Sequence, residues 1–225
     1  MNITGQYLYW MNGTQSDITE SFRIISNETA DTVIESSRHT ESFGSQIKVV
    51  AGYKENQLAH FDIEWQNTNP NAVQFANAHY QFDSNEIIVH RNLDGREFHE
   101  RLPSPAIFSV LPLLRIFTGK AIRNTYELGH GGRIPVLVPN IKNPNDTVQL
   151  LALELDLRSA SHLGHETLTL NESEHAADIF NFFGSNYDQS AKFWIDENDI
   201  LLKYEWQQKP DLFWEVKLTQ YVMSP

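Results

Sequence analysis

Hydrophobic and polar residues alternate with a period of two through most of residues 5–101, the pattern of strands with one buried face. GQYLYWMNGTQSDITESFRII alternates on both sides of Asn12-Gly13, a two-residue hairpin turn that makes the first two strands antiparallel. DTVIESSRH, SQIKVVAGY, LAHFDIEWQ, VQFANAHYQF, EIIVHR and REFHERL follow, divided by short polar turns. The alternation returns after Gly132 in RIPVLVPNI, TVQLLALELDLRS, HETLTLN, HAADIFNFFG, AKFWID, ILLKYEWQQ and LFWEVKLTQYVM, with Glu197-Asn198-Asp199 as a tight turn.

Between these runs the period changes. Ile107, Val110, Leu111, Leu114 and Phe117 fall at i, i+3, i+4, i+7 and i+10, one apolar face of a helix. The spacing predicts a helical insertion at about 104–128, capped by Ser104, with Pro105 in the first turn, a kink at Pro112 and a stop available at Gly119. About a dozen consecutive antiparallel strands cannot remain a flat open sheet, because twist makes such sheets curl, split or close. The expected fold is therefore mainly β: a long curled antiparallel sheet or half-barrel with the helical insertion packed in its concave face. Residues 1–225 show no repeat or linker that divides them, so one domain is expected.

This layout resembles that of the periplasmic lipoprotein carriers and the related mycobacterial lipid-binding lipoproteins. The residues carrying the likeness are the closing runs AKFWIDENDILLKYEWQ and LFWEVKLTQY and the helical PAIFSVLPLLRIF that interrupts the strands. The resemblance implies a half-barrel wrapped around a helical lid, with a cavity between them that accepts an apolar ligand.

Charge removes several alternatives. Seventeen Lys and Arg against 29 Asp and Glu leave a formal net charge of -12, which repels phosphate backbones and anionic membranes. Nucleic acid is not an expected partner, and the nearest thing to a basic patch is Arg115, Lys120 and Arg123. With no cysteine, disulfides, thiolate nucleophiles and cysteine-ligated metals are excluded. The longest apolar tract, 105–117, is too short and too broken by Ser109, Pro112 and Arg115 to cross a bilayer. The opening residues carry no signal-peptide pattern, so the chain as given is expected in the cytoplasm, or in the periplasm if it is a mature domain.

The candidate chemistry is diffuse. ELGHGGRIPVLVPNI begins like an oxyanion-hole loop, but no Gly-x-Ser-x-Gly elbow accompanies it, which excludes an α/β-hydrolase. It reads as a loop from the helix into a strand, and it places His130 and Arg133 beside Arg123 and Tyr126 as a rim for the polar end of an apolar ligand. Ile107, Val110, Leu111, Leu114 and Phe117 would line the apolar part. His162, His165, His175 and Glu166 are residue types that zinc uses. However, i and i+3 share a face only on a helix and Leu163-Gly164 reads as a turn, so neither a metal nor any other cofactor is expected.

In IIVHRNLDGREFHE, alternation puts His90 on one face with Ile88, where it reads first as a core histidine satisfied by a neighbour and, under an enzyme reading, as an inward neutral base. Tyr187 beside Asp188 reads first as a turn pair with an aromatic on the sheet and, as the alternative, as a general acid with an orienting carboxylate. The leading expectation is binding of a lipid-like or other apolar small molecule between sheet and helix. The alternative is a cofactor-free isomerase, cyclase or hydrolase using His90, His130 and Tyr187 in the same cavity, and a third reading is a partner-binding protein that uses an exposed sheet edge.

Overall fold

A computed structural model describes residues 2–27, 31–184, 187–188 and 190–224. The amino-terminal half forms eight strands: β1 (Asn2–Met11), β2 (Thr14–Ser26), β3 (Thr32–Thr40), β4 (Ser45–Lys54), β5 (Gln57–Asn67), β6 (Phe75–Phe82), β7 (Glu86–Leu93) and β8 (Arg96–Pro103). A two-residue strand, β9 (Ser109–Val110), leads through a 3-10 turn at Arg115–Phe117 into helix α1 (Thr118–Gly129). The chain then returns as β10 (Ile134–Pro139), β11 (Leu153–Leu170), β12 (Ser173–Phe183), β13 (Lys192–Ile195), β14 (Leu201–Lys209) and β15 (Leu212–Ser224).

All fifteen strands belong to one open, curled sheet, in the order β8-β7-β6-β5-β4-β3-β2-β1-β15-β14-β13-β12-β11-β10-β9. Two meanders spread in opposite directions from a central seam where β1 pairs antiparallel with β15, Asn2 facing Ser224 and Met11 facing Trp214. The β1–β2 turn is the expected one, with Asn12 and Gly13 both at positive φ. Parallel pairing joins β9 to β10, which demands a crossover that α1 supplies.

The concave face holds the core. Tyr7, Phe61, Tyr80, Phe180, Phe182, Phe193 and Tyr204 are fully buried there, joined by Leu114 and Phe117 from the segment before α1. Each such phenylalanine or leucine contributes ~1.5–3 kcal/mol through removal from water. A strap at 146–152 crosses the face of β6–β8: Tyr80 donates to the Leu151 carbonyl, and the buried Arg91 donates to the Val148 and Leu150 carbonyls at 2.8 and 2.9 Å.

The helix is shorter than the period predicted, Thr118–Gly129 rather than 104–128. Pro112 removes a donor that a helix interior needs, and Ser109 and Val110 instead pair with Val136 and Leu137. Leu113 adopts φ 64°, which ends any helical course. The true inward face of α1 is Thr118, Gly119, Ala121, Ile122 and Thr125, too small and mixed to read as an apolar stripe.

Candidate functional site

Two chambers lie between the start of α1 and the strands. The first, about 370 Å³, has a floor of Ile3, Ile24, Ile34, Ile116, Phe117 and Ile200. Alternation along β1, β2 and β3 turns those isoleucines inward, and the 3-10 turn supplies Ile116 and Phe117. The second chamber, about 500 Å³, sets Leu58, Phe82, Phe108, Val110 and Leu128 among Gln57, Asp83, Ser84, Ser104 and Ser109, with Asn124 and Glu127 from α1. Tyr53, Asn56 and Lys120 belong to both. The Lys120 ammonium lies 5.5 Å from the Tyr53 ring centroid and 3.8 Å from the Asp199 carboxylate. With Asn198 and Glu197 nearby, the rim carries both signs of charge on an apolar floor.

A buried polar network occupies the other end of the same strands. Ile3 and Tyr9 are six residues apart on β1, or ~20 Å along a strand, and a pocket of about 250 Å³ is lined by Tyr9, Arg38, Arg115, Tyr187, Tyr204 and Trp206. Tyr9 donates to Glu20 Oε2 at 2.8 Å, and the Arg115 backbone N–H donates to Glu20 Oε1 at 2.5 Å. Arg115 lies over the Tyr204 ring at 4.8 Å and donates to the Tyr187 hydroxyl at 3.1 Å. Burial pushes the Glu20 carboxyl above the ordinary range despite Arg38, Tyr9 and Arg115. Burial also opposes ionisation of Tyr187, but Arg115 and Arg158 outweigh it and hold that phenol below its ordinary value.

The expected site residues separate. Phe117 lines the first chamber and Val110 the second, Leu111 and Leu114 are packed into the core, and Ile107 is half exposed. None of Arg123, Tyr126, His130 and Arg133 lines either chamber among the described residues. Arg123 is taken up by its own partners, donating to Asp199 Oδ1 at 2.5 Å, Asp178 Oδ2 at 3.1 Å and the Asp196 carbonyl at 3.0 Å. Tyr126 packs edge-on against Phe180, His130 is the left-handed residue that ends α1, and Arg133 is exposed before β10. The basic trio is not a surface patch, since Arg115 is enclosed by aromatic rings and Arg123 is paired.

His90 is exposed on the outer face of β7, because Ile87, Val89 and Arg91 are the inward set; its Nδ1 lies 3.2 Å from that of His99. It therefore does not point inward with the core, nor does it share a cavity with Tyr187. Residues 153–170 form one continuous strand in place of two strands joined by a turn at Leu163-Gly164.

Sequence reasoning missed Glu20, Tyr53, Arg115 and Lys120 as site residues. Glu20 had a legible signal: it shares the inward face of β2 with Phe22 and Ile24, where a carboxylate is costly without partners. Lys120 and Tyr53 had none, since only the tertiary fold brings α1 onto β4.

No protein-family model matches the chain, and no curated protein matches it in sequence. In structure it is similar to a beta-barrel-like protein of domain of unknown function DUF1849 from Brucella abortus, with a TM-score of 0.57 at 8% identity, covering 100% of this chain and 98% of that one. That likeness establishes a shared fold. A putative outer membrane lipoprotein-sorting protein domain from Vibrio parahaemolyticus superimposes loosely, at TM-score 0.24 and 8% identity over 98% of this chain and 84% of that one. A DUF1329 family protein from Desulfovibrio piger does so at 0.22 and 7% over the same shares, and neither likeness carries an argument. Among the described residues no helix is long and apolar enough to cross a membrane.

Proposed function

We propose that this protein binds a lipid-like or other apolar small molecule with a polar head in the two chambers between the curled sheet and α1. The observation that carries the reading is the first chamber: a floor of isoleucines and Phe117 under a rim of Lys120, Asn56, Asn198 and Asp199. Each chamber has the volume of a small-molecule site, and each sets apolar side chains among polar ones, which suits a ligand with an apolar part and a polar head. Because Asp199 already faces Lys120, the rim favours a zwitterionic or uncharged polar head over a bare carboxylate. Phe117 and Val110 contact the apolar part, and Lys120 meets the head.

Native mass spectrometry of the purified protein, followed by titration with a pyrene-labelled lysophosphatidylcholine, tests this. One saturating molecule per chain is expected, lost when Ile34→Trp fills the first chamber. An empty protein that shows no saturable binding would remove the reading.

A second reading, a cofactor-free isomerase, cyclase or hydrolase, draws on Tyr187 alone among its three expected residues. Its phenol adjoins Arg115 at the buried network, which suits a proton donor and acceptor. Ultraviolet titration is expected to show one tyrosine ionising below the ordinary value of 10.0, absent in Tyr187→Phe.

A further inference from the structure

We propose that His162, His165 and Asp178 form a binding site for a divalent late first-row transition-metal ion of the zinc and cobalt type. In a regular strand, residues i and i+3 point to opposite faces, so the two histidines of β11 should diverge. A β-bulge prevents that. Opposite β12, His162 faces Phe180, Gly164 faces Ile179 and His165 faces Asp178, which leaves Leu163 as the extra residue. Gly164 stands at φ 142°, a conformation that other residues rarely adopt. Bulges are devices that re-aim side chains, and this one turns both imidazoles onto the same carboxylate.

His162 Nε2 lies 3.2 Å from Asp178 Oδ1, and His165 Nδ1 lies 2.5 Å from the same oxygen. One donor atom from each of the three residues falls within 4.8 Å of the others. Zinc takes imidazole nitrogen and carboxylate oxygen at ~2.0–2.2 Å, which sets tetrahedral donors ~3.3 Å apart. Small rotations bring the three to that spacing. The exposed His165 is free to make them, while His162 is held against Phe180 at 5.2 Å between ring centroids.

The carboxylate is already oriented. Its second oxygen accepts from Arg123, which is clamped in turn to Asp199 and the Asp196 carbonyl. Such outer partners fix a ligand's direction at metal sites. Two imidazoles and one carboxylate select zinc, cobalt, nickel or copper over magnesium and calcium, and three protein ligands leave one position open.

Cobalt(II) titrated into the full chain provides the test, read by visible absorption and by the shift of the thermal melt. The expected result is one ion per chain, with affinity at least ~10-fold weaker in the His162→Ala/His165→Ala double variant. The outer pair provides the control: His90→Ala/His99→Ala is expected to change affinity by less than about twofold, being on a separate part of the sheet. His165→Ala alone, at an exposed position, keeps the fold and is expected to weaken binding as well. Absence of saturable binding in the parent protein, or binding that survives the first double variant or vanishes in the second, would overturn the site.

Discussion

Glu20 has no solvent-exposed surface, yet both its oxygens are spoken for, by the Tyr9 hydroxyl and the Arg115 backbone N–H. Desolvation raises its carboxyl above the ordinary glutamate value of 4.5. A carboxyl raised in the folded state contributes stability that is complete below its unfolded value and is lost as pH rises through its folded one. Glu20→Gln removes the charge and keeps an acceptor, so it is expected to hold or raise stability at neutral pH and to flatten that loss. Glu20→Ala leaves two buried donors unmatched, at ~1–3 kcal/mol each. Thermal melts from acid to neutral pH compare the two.

Asp178 has the opposite sign. Desolvation alone would raise it, but hydrogen bonds from Arg123 and His162 outweigh that and hold its carboxyl low. Its contribution is present above the ordinary carboxylate range and disappears as pH falls, so acid melts of Asp178→Asn are expected to lack that part of the loss.

Helix α1 is seated by a residue without a side chain. A Cβ on Gly119 would stand 2.1 Å from the Asp199 carbonyl oxygen and 3.1 Å from Ile195 Cγ2. Gly119→Ala is therefore expected to destabilise by ~1–3 kcal/mol, as overpacking does, and to weaken pyrene-lipid binding as α1 lifts from the β13–β14 turn. Denaturant unfolding and the lipid titration measure the two effects.

Most strand elements were legible in the sequence because alternation and turn chemistry are local, but TVQLLALELDLRS enters its strand only at Leu153, residues 147–151 being turn. Asn12-Gly13 announced its hairpin, and GHGGR its exit from the helix into a strand. The helix was placed too early, since Ile107 to Phe117 match a helical period that Pro112 and the pairing of β9 with β10 override. The bulge at Leu163 was illegible, because a one-residue insertion is defined only against the partner strand. For the same reason alternation could give the faces of Ile3, Ile24 and Ile34, but not the approach of Lys120 that completes the chamber.

At the scale of the molecule, an open sheet has two edges, and each is blunted differently. β9 is two residues long, and β8 carries Arg96, Glu97, Glu100 and Arg101 before ending in Pro103. Charged, short or proline-terminated edges resist pairing with another chain. Glu97→Val with Arg101→Val, both well exposed, is expected to promote association, visible as a rise in mass by light scattering after size exclusion.

The seam between β1 and β15 also sets an order in time. A ribosome releases β15 about 200 residues after β1, so the middle of the sheet has to wait for that whole stretch while both wings can zip by neighbour-to-neighbour pairing. At ~5–20 residues per second that interval lasts roughly 10–40 s. For all of it the exposed side of β1 invites the wrong strand, and a nascent chain stalled before residue 212 is open at its centre instead of its rim.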